Sequence, residues 1–299
     1  MKRMLSTKLK KEDMNKDMLG LSCIENYVLA QLRLQGNIHF FYYQSFLPIE
    51  EIYYNIFVEN AEYANFKKIP RILKTAKDLG CLQYHWEHNV DMDRLDQFEQ
   101  EYVLVQVRPD FLRDKYARRL FRDDHYVFLS QKDDNTFVYL NDNPADQAEI
   151  STLELNYYYV NDAFVFRTLN KPINYIDCLL SFYHIMNTYK KRTINIQYEM
   201  NAIKVRDFIG ILKLSRKRII EFVRPILEES DETHFSIFLQ ELNRLYSRLE
   251  YMRIRNRCES ETIYKGLKYI FERDRICMRW IMLKVKTYLN KLTIQTDFT

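Results

Sequence analysis

The sequence predicts an α+β protein in which a mixed N-terminal domain with an antiparallel sheet precedes a helical C-terminal region. Three β-rich runs joined by polar connections predict the sheet, at 101–109, 124–130 and 137–144. Beyond Pro172 the strand signals nearly vanish, and apolar residues recur at helical spacing. We therefore divide the chain into a flexible basic arm (1–17), a mixed domain (18–168) and a helical domain (169–299).

The functional prediction rests on a helix between Gly20 and Gly36. Val28 and Leu32 recur within it at helical spacing, so one face can be buried. Cys23 falls in the first turn, where unpaired backbone N–H groups and the helix dipole lower the pKa of a thiol. Cys23 is thus a candidate nucleophile, although a cysteine at a helix start is more often a small buried apolar residue.

The last two predicted strands supply two further candidate residues. His125 opens the strand at 124–130, and Asp142 closes the strand at 137–144. In an antiparallel hairpin, the first residue of one strand and the last residue of the other are neighbours. An imidazole with a carboxylate beside it forms two members of a nucleophilic triad, and Cys23 would be the third.

The order of these residues resembles that of papain-like cysteine enzymes, in which a helix led by Cys precedes a strand pair with His first and Asp last. Within that group the sequence resembles the butirosin-biosynthesis-protein-H-like N-terminal domain and the related C39-like peptidases, over roughly residues 18–165. It also resembles a papain-like amide synthase of the closthioamide type. The segments that carry the resemblance are 23–36, 103–112, 125–127, 142–144 and 151–155.

The resemblance implies a papain-like cysteine-protease fold and a cysteine-dependent acyltransferase of natural-product biosynthesis that forms an amide bond. Cys23 would take an acyl group from an acyl or peptidyl carrier-protein thioester, and a small amine would then accept it. His125 would act as the base, and Asp142 would fix the imidazole tautomer. No cofactor or metal is expected, because thioester exchange is nearly isoenergetic and aminolysis is strongly downhill; the acyl group would arrive on the phosphopantetheine arm of the carrier.

The oxyanion hole departs from the family pattern. Asp17 stands where papain-like enzymes usually have a glutamine that donates into the hole, and a carboxylate there would repel the oxyanion. The hole would then rely on the Cys23 backbone N–H and on a second donor. The candidates for that donor are Asn15, Ser22 and Gln44.

A second departure concerns the residue that orients the histidine. The chain reads Asn141-Asp142-Asn143-Pro144, whereas relatives tend to have Asp directly before Pro. Either Asn141 or Asp142 could orient His125, since papain itself uses an amide, and we favour Asp142.

Two other functions stay open on the same residues. A cysteine peptidase or thioesterase would use water as the acceptor in place of the amine, and it would share the first half-reaction with a transferase. A non-catalytic binding protein that retains the fold is the third interpretation, which the missing upstream glutamine supports.

The composition argues against several other classes. Only 5 of the 299 residues are glycine, and the sequence lacks phosphate-binding glycine motifs. It has no apolar run of membrane-spanning length and no signal-peptide core, so we expect a cytoplasmic protein without a membrane partner. The 5 cysteines are widely spaced, which indicates free thiols rather than a disulfide framework or a zinc site.

Two groups of basic side chains have two possible interpretations: they form a solvated surface, or they are where an acidic partner docks. The segment 111–122 contains five Lys or Arg residues before His125, and these could meet a phosphopantetheine phosphate or an acidic carrier protein. Arg216 and Arg224 contribute to a second basic face on a predicted helix at 202–227. Nucleic acid is not expected, because the aromatic residues are committed to core faces rather than interleaved with these charges.

Two apolar patterns complete the prediction. Apolar residues repeat at 4-3-4-3 spacing between Phe238 and Met252, which predicts a seam that pairs with another helix of the chain. A homodimer could use the same seam. The stretch Phe40-Phe41-Tyr42 is predicted to be extended and to line a dry acyl site.

Overall fold

A computed structural model of the chain confirms the α+β fold class. The chain forms two compact units, Met1–Ile38 with Arg71–Pro172 and His39–Pro70 with Ile173–Thr299. The structure describes residues 9–14, 22–36, 38–61, 72–98, 101–117, 125–189, 193–196, 201–255 and 260–296. Most of the predicted basic arm lies outside these residues.

The first unit is built on an antiparallel sheet of six strands. The strands are β1 (Leu82–His88), β2 (Tyr102–Val107), β3 (His125–Asp133), β4 (Thr136–Asp142), β5 (Ala145–Ser151) and β6 (Tyr159–Thr168). They lie side by side in the order β1-β6-β2-β3-β4-β5, and every neighbouring pair is antiparallel.

The helices fall in both units. They are α1 (Lys11–Met14), α2 (Cys23–Gln35), α3 (Ile49–Phe57), α4 (Ile72–Asp78), α5 (Pro109–Tyr116), α6 (Thr152–Tyr158), α7 (Tyr175–Thr188), α8 (Ala202–Val223), α9 (Glu229–Ile254) and α10 (Ser260–Thr296). Short 3₁₀ helices occur at His39–Tyr42, Met92–Gln97 and Arg224–Ile226. Among the described residues, no helix combines the length and the apolar character needed to cross a membrane.

Three of the six strands match the sequence prediction. β2, β3 and β4 are the predicted runs, and most of their apolar residues are buried. β1 and β5 were not predicted because they are the edge strands of the sheet. Each has a single buried side chain, Leu82 in β1 and Ile150 in β5, so neither shows an apolar pattern. β6 was not predicted either, because its strand follows α6 without a break and only residues 163–166 form a buried apolar run.

Both faces of the central strands are covered within the first unit. α2 covers one face, where the fully buried Tyr27 lies against Phe128 with ring centroids 6.1 Å apart. The Tyr27 hydroxyl donates to the carbonyl oxygen of Leu140 at 2.9 Å. On the opposite face, Phe111 of α5 and Leu155 of α6 belong to the same apolar cluster as the valines of β2. The helices on the two faces hold in place the end of the sheet at which β3 begins and β4 ends.

The segment 39–70 belongs to a different unit from the one predicted. The prediction kept it within the domain 18–168, whereas its contacts assign it to the second unit. The stretch predicted to be extended forms instead the 3₁₀ helix at His39–Tyr42, in which Phe40 packs edge-on against Tyr175 at 5.7 Å. The aromatic residues predicted to line an acyl site therefore pack within the second unit.

The second unit is helical, and a buried ion pair connects α8 to α10. Arg216 is fully buried, so it is not part of the exposed basic face predicted for this helix. Its Nε and Nη2 donate to the two carboxylate oxygens of Asp274 at 2.6 and 2.8 Å. Its Nη1 donates to the carbonyl oxygen of Leu47 at 2.8 Å. This bidentate geometry with an added acceptor compensates for taking the guanidinium out of water.

Breaking this ion pair should destabilise the second unit strongly. Asp274→Asn keeps the shape of the side chain but leaves the buried Arg216 without its counter-charge, which typically costs about 3–5 kcal/mol. We expect a lower urea midpoint in the helical circular-dichroism signal. Glu261→Gln is the control, because it removes an exposed pair with Lys265 (2.7 Å) and should leave the midpoint unchanged. Equal midpoints for both variants would contradict the role given to Asp274.

Candidate active site

Cys23 is the first residue of α2 and is partly buried. The helix begins there because Ser22 caps it, with its Oγ accepting a hydrogen bond from the Glu25 N–H at 3.3 Å. One turn later, Asn26 Nδ2 donates to Oδ2 of Asp142 at 3.0 Å. Cys23 is thus fixed at the end of the sheet where β4 finishes.

His125 is the first residue of β3, and its imidazole meets the end of β4. Its Nε2 lies 2.7 Å from Oδ1 of Asn141, but 3.7 Å from the nearest carboxylate oxygen of Asp142. Asn141 Nδ2 donates to the carbonyl oxygen of Pro144 at 2.6 Å, so the amide oxygen is the atom turned to the ring. The orienting hydrogen bond therefore comes from Asn141 and not, as the sequence led us to favour, from Asp142.

The alternation of side chains along a strand explains this exchange of roles. Successive residues of β4 project to opposite faces of the sheet. Asp142 projects toward α2, where Asn26 binds one of its oxygens. Its other oxygen, Oδ1, is buried and has no hydrogen-bond partner among the described residues. Asp142 is therefore a nearby source of negative charge rather than the acceptor that orients the ring.

The Cys23 thiol is less acidic than its position at a helix start predicts. Burial and the negative charge of Asp142 raise its pKa to about 12. The backbone N–H groups of Tyr126, Ile24 and Cys23 act in the opposite direction, as expected for a helix N-terminus, but they are outweighed. Cys23 is consequently a protonated thiol at neutral pH, and it needs a base to become a nucleophile.

The same N–H contact locates the thiol relative to the histidine. The Tyr126 N–H acts on the Cys23 sulfur, and Tyr126 directly follows His125 in β3. The three predicted residues therefore meet at one end of the sheet: Cys23 from α2, His125 from β3 and Asp142 from β4.

Asn26 is a polar residue of the site that the sequence prediction did not name, and Asn141 is one that it gave only as the alternative to Asp142. Asn26 could have been found from its spacing, because it follows Cys23 by three residues and so shares its helix face. Asn141 was named only as the second choice, since no local pattern indicates which of two neighbouring strand residues turns toward a helix.

Of the three candidates for the second oxyanion donor, Ser22 directly precedes Cys23. Ser22 Oγ accepts the Glu25 N–H, which leaves its own hydroxyl hydrogen free to donate. Gln44 belongs to the second unit, where its Nε2 donates to Tyr43 at 2.7 Å. Asn15 and Asp17 lie outside the described residues.

The predicted basic segment 111–122 is described only as far as residue 117. Its two described cations take part in ion pairs within the unit: Arg113 with Asp110 at 2.8 Å, and Lys115 with Glu154 at 2.6 Å. The remaining three basic residues lie outside the described part of the chain, as does Cys258. Among the described residues, Cys81, Cys178 and Cys277 are buried free thiols, and no group of three His, Cys, Asp or Glu side chains could hold a metal ion.

Removing the charge of Asp142 should make the Cys23 thiol more acidic. With a pKa of about 12, alkylation of Cys23 by iodoacetamide should still be rising at about pH 9, without a plateau. In Asp142→Asn a Cys23 thiolate that forms beside a neutral His125 no longer faces a negative charge, so the pKa of the thiol falls and alkylation at about pH 8 becomes severalfold faster. Peptide mass spectrometry gives the rate at each cysteine.

Asp134→Asn is the matched control, since it removes the same charge in the exposed β3–β4 turn and should leave the Cys23 rate unchanged. A wild-type rate that already levels off below about pH 8 would instead indicate a preformed thiolate.

The sequence was also compared with known proteins. No family model and no curated protein matches it.

Proposed function

We propose that this chain is a cysteine-dependent acyltransferase with a papain-like fold, which forms an amide through an acyl-enzyme on Cys23. The supporting observation is the convergence of three groups at one end of the sheet. A thiol starts a helix, the imidazole of His125 is held through Nε2, and the carboxylate of Asp142 lies buried beside both. This set contains a nucleophile, a base and an electrostatic stabiliser.

His125 is the base of the proposed reaction. Because the amide oxygen of Asn141 can only accept, the Nε2 of the neutral imidazole carries the proton and Nδ1 keeps its lone pair. Nδ1 takes the proton of the Cys23 thiol, which produces a thiolate and an imidazolium. The Asp142 carboxylate, 3.7 Å from Nε2, stabilises the imidazolium and so favours this transfer although it opposes a lone thiolate.

The first half-reaction moves the acyl group to the enzyme. The Cys23 thiolate attacks the carbonyl carbon of the thioester, and the Cys23 backbone N–H at the start of α2 donates to the oxyanion. The bond between that carbon and the carrier sulfur then breaks. The departing thiolate takes the proton from the imidazolium, so the carrier leaves as a thiol and His125 is neutral again.

The second half-reaction forms the amide. The amine nitrogen attacks the acyl-enzyme carbonyl and gives one proton to Nδ1 of His125. The bond between the carbonyl carbon and the Cys23 sulfur breaks, and the proton returns to the sulfur. Atoms and charges balance without a metal or a nucleotide.

The donor, the acceptor and the setting are proposed from the family resemblance. The donor is an acyl or peptidyl carrier protein with a phosphopantetheine arm, the acceptor is a small amine, and the setting is natural-product biosynthesis in the cytoplasm. Neither nucleic acid nor a membrane takes part, and a homodimer is compatible with the reaction.

A model thioester should acylate Cys23 and then release an amide. Incubation with an acyl-N-acetylcysteamine thioester should add one acyl mass to the peptide that contains Cys23, and an added amine should remove it as amide. Cys23→Ala should abolish the adduct, and His125→Ala should slow its formation about 10²–10⁴-fold. Release of the acid alone would favour the hydrolase, and no adduct under any condition would favour the non-catalytic binding protein.

Asn141 should control the rate through the histidine. Asn141→Leu removes the acceptor of the Nε2 proton, so the ring loses its tautomer preference and acylation of Cys23 should slow by about tenfold to a hundredfold. The burst rate of thioester cleavage measures this step. Asn135→Ala, in the exposed turn between β3 and β4, is the control and should react like the wild type. If Asn141→Leu also reacts at the wild-type rate, the orienting role given to Asn141 is wrong.

A further inference from the structure

The sheet face on which α2 lies also carries a set of aromatic rings. Residues directly opposite each other on antiparallel strands project to the same face. Trp86 pairs with Phe164, Phe164 with Leu104, and Leu104 with Phe128, which packs against Tyr27 of α2. Trp86 therefore lies on the α2 side of the sheet, three strands away from β3.

Three rings form this surface, which we call the aromatic shelf: Trp86, Tyr126 and Phe164. The ring of Trp86 meets that of Tyr126 nearly edge-to-face at 5.7 Å and that of Phe164 at 4.9 Å. Phe164 is fully buried, whereas Trp86 is 45% exposed, so part of the indole surface is open. None of the described residues accepts a hydrogen bond from the indole N–H.

The aromatic shelf adjoins the candidate nucleophile through Tyr126. The backbone N–H of Tyr126 acts on the Cys23 sulfur, while its side chain forms part of the shelf. Its hydroxyl donates to Oε1 of the buried Gln106 at 3.1 Å, which fixes the ring in place. The partly open aromatic shelf therefore includes the side chain of the same residue whose backbone N–H contacts the Cys23 sulfur.

We propose that the aromatic shelf binds the acyl group of the substrate and selects an uncharged, flat aromatic acyl group over a saturated one. This inference rests on the proposed acyl transfer to Cys23. Aromatic rings gain from edge-to-face and offset contacts beyond the area they bury, and a saturated ring of the same size does not. The buried charge of Asp142 beside the thiol disfavours an acyl group that carries a carboxylate.

Two thioesters of equal carbon skeleton test this selectivity. Phenylacetyl- and cyclohexylacetyl-N-acetylcysteamine differ only in the ring, and the methylene group keeps the carbonyl reactivity similar. We expect phenylacetyl transfer to Cys23, followed by peptide mass spectrometry, to be about three- to tenfold faster. Trp86→Leu should abolish this ratio, and Trp86→Phe should retain most of it.

Trp280→Leu is the matched control. Trp280 is the other tryptophan of the chain, it is 44% exposed, and it lies in α10 of the second unit. This variant should keep the wild-type ratio. Equal rates for the two thioesters in the wild type, or an unchanged ratio in a folded Trp86→Leu protein, would overturn the proposal while leaving acyl transfer to Cys23 intact.

A binding measurement separates this proposal from the proposed reaction. If neither thioester acylates Cys23, acyl transfer fails, and the aromatic shelf is then tested without chemistry. The Trp280→Phe protein has Trp86 as its single indole, so its fluorescence reports on the shelf alone. Phenylacetamide should change this emission at lower concentration than cyclohexylacetamide, and equal titrations would overturn the proposal.

Discussion

The attachment of the first turns of α2 to β4 determines the geometry of the whole candidate site. Asn26 binds the carboxylate of Asp142, and Tyr27 binds the carbonyl oxygen of Leu140. Two consecutive helix residues thus form hydrogen bonds with two residues of β4 whose side chains share one face of the sheet. These two bonds fix both the rotation and the position of the helix start. Cys23 lies one turn earlier on the same helix face, so its sulfur has little freedom to leave the end of the sheet.

This attachment also sets the electrostatics of the site. The carboxylate that anchors the helix is the charge that raises the pKa of the Cys23 thiol. The same carboxylate is well placed to stabilise a positive charge on His125. The arrangement therefore favours a neutral resting thiol, which resists oxidation, over a standing thiolate. In the proposed reaction the Cys23 thiolate and the His125 imidazolium form together, and the Asp142 carboxylate stabilises the imidazolium.

Local sequence rules identified the residues of the candidate site but not which of them orients His125 or how acidic Cys23 is. The helix start near Cys23 and the strand ends at His125 and Asp142 follow from periodicity and from the glycines and polar turns that bound these segments. The contact of His125 with Asn141 depends on which face of β4 receives α2, and that is a tertiary property. The acidity of Cys23 likewise depends on burial, which the helix position alone does not reveal.

The same limit explains the misplaced segment 39–70 and the burial of Arg216. Helical periodicity predicted α8 correctly, but it carries no information about partners distant in the chain. Arg216 has the charge of a surface residue, and only the carboxylate of Asp274, 58 residues away, makes its burial tolerable.

The discontinuous second unit has a consequence for synthesis of the chain. The ribosome makes α3 early, yet its Tyr53 packs against Phe208 of α8, with ring centroids 6.1 Å apart, and α8 is made only after the first unit is complete at Pro172. Domains generally fold as units, with the N-terminal one first. The first unit can therefore finish folding while α3, which is made earlier, still lacks its native partner α8. Apolar surface exposed in this way is prone to aggregation until α8 has been made.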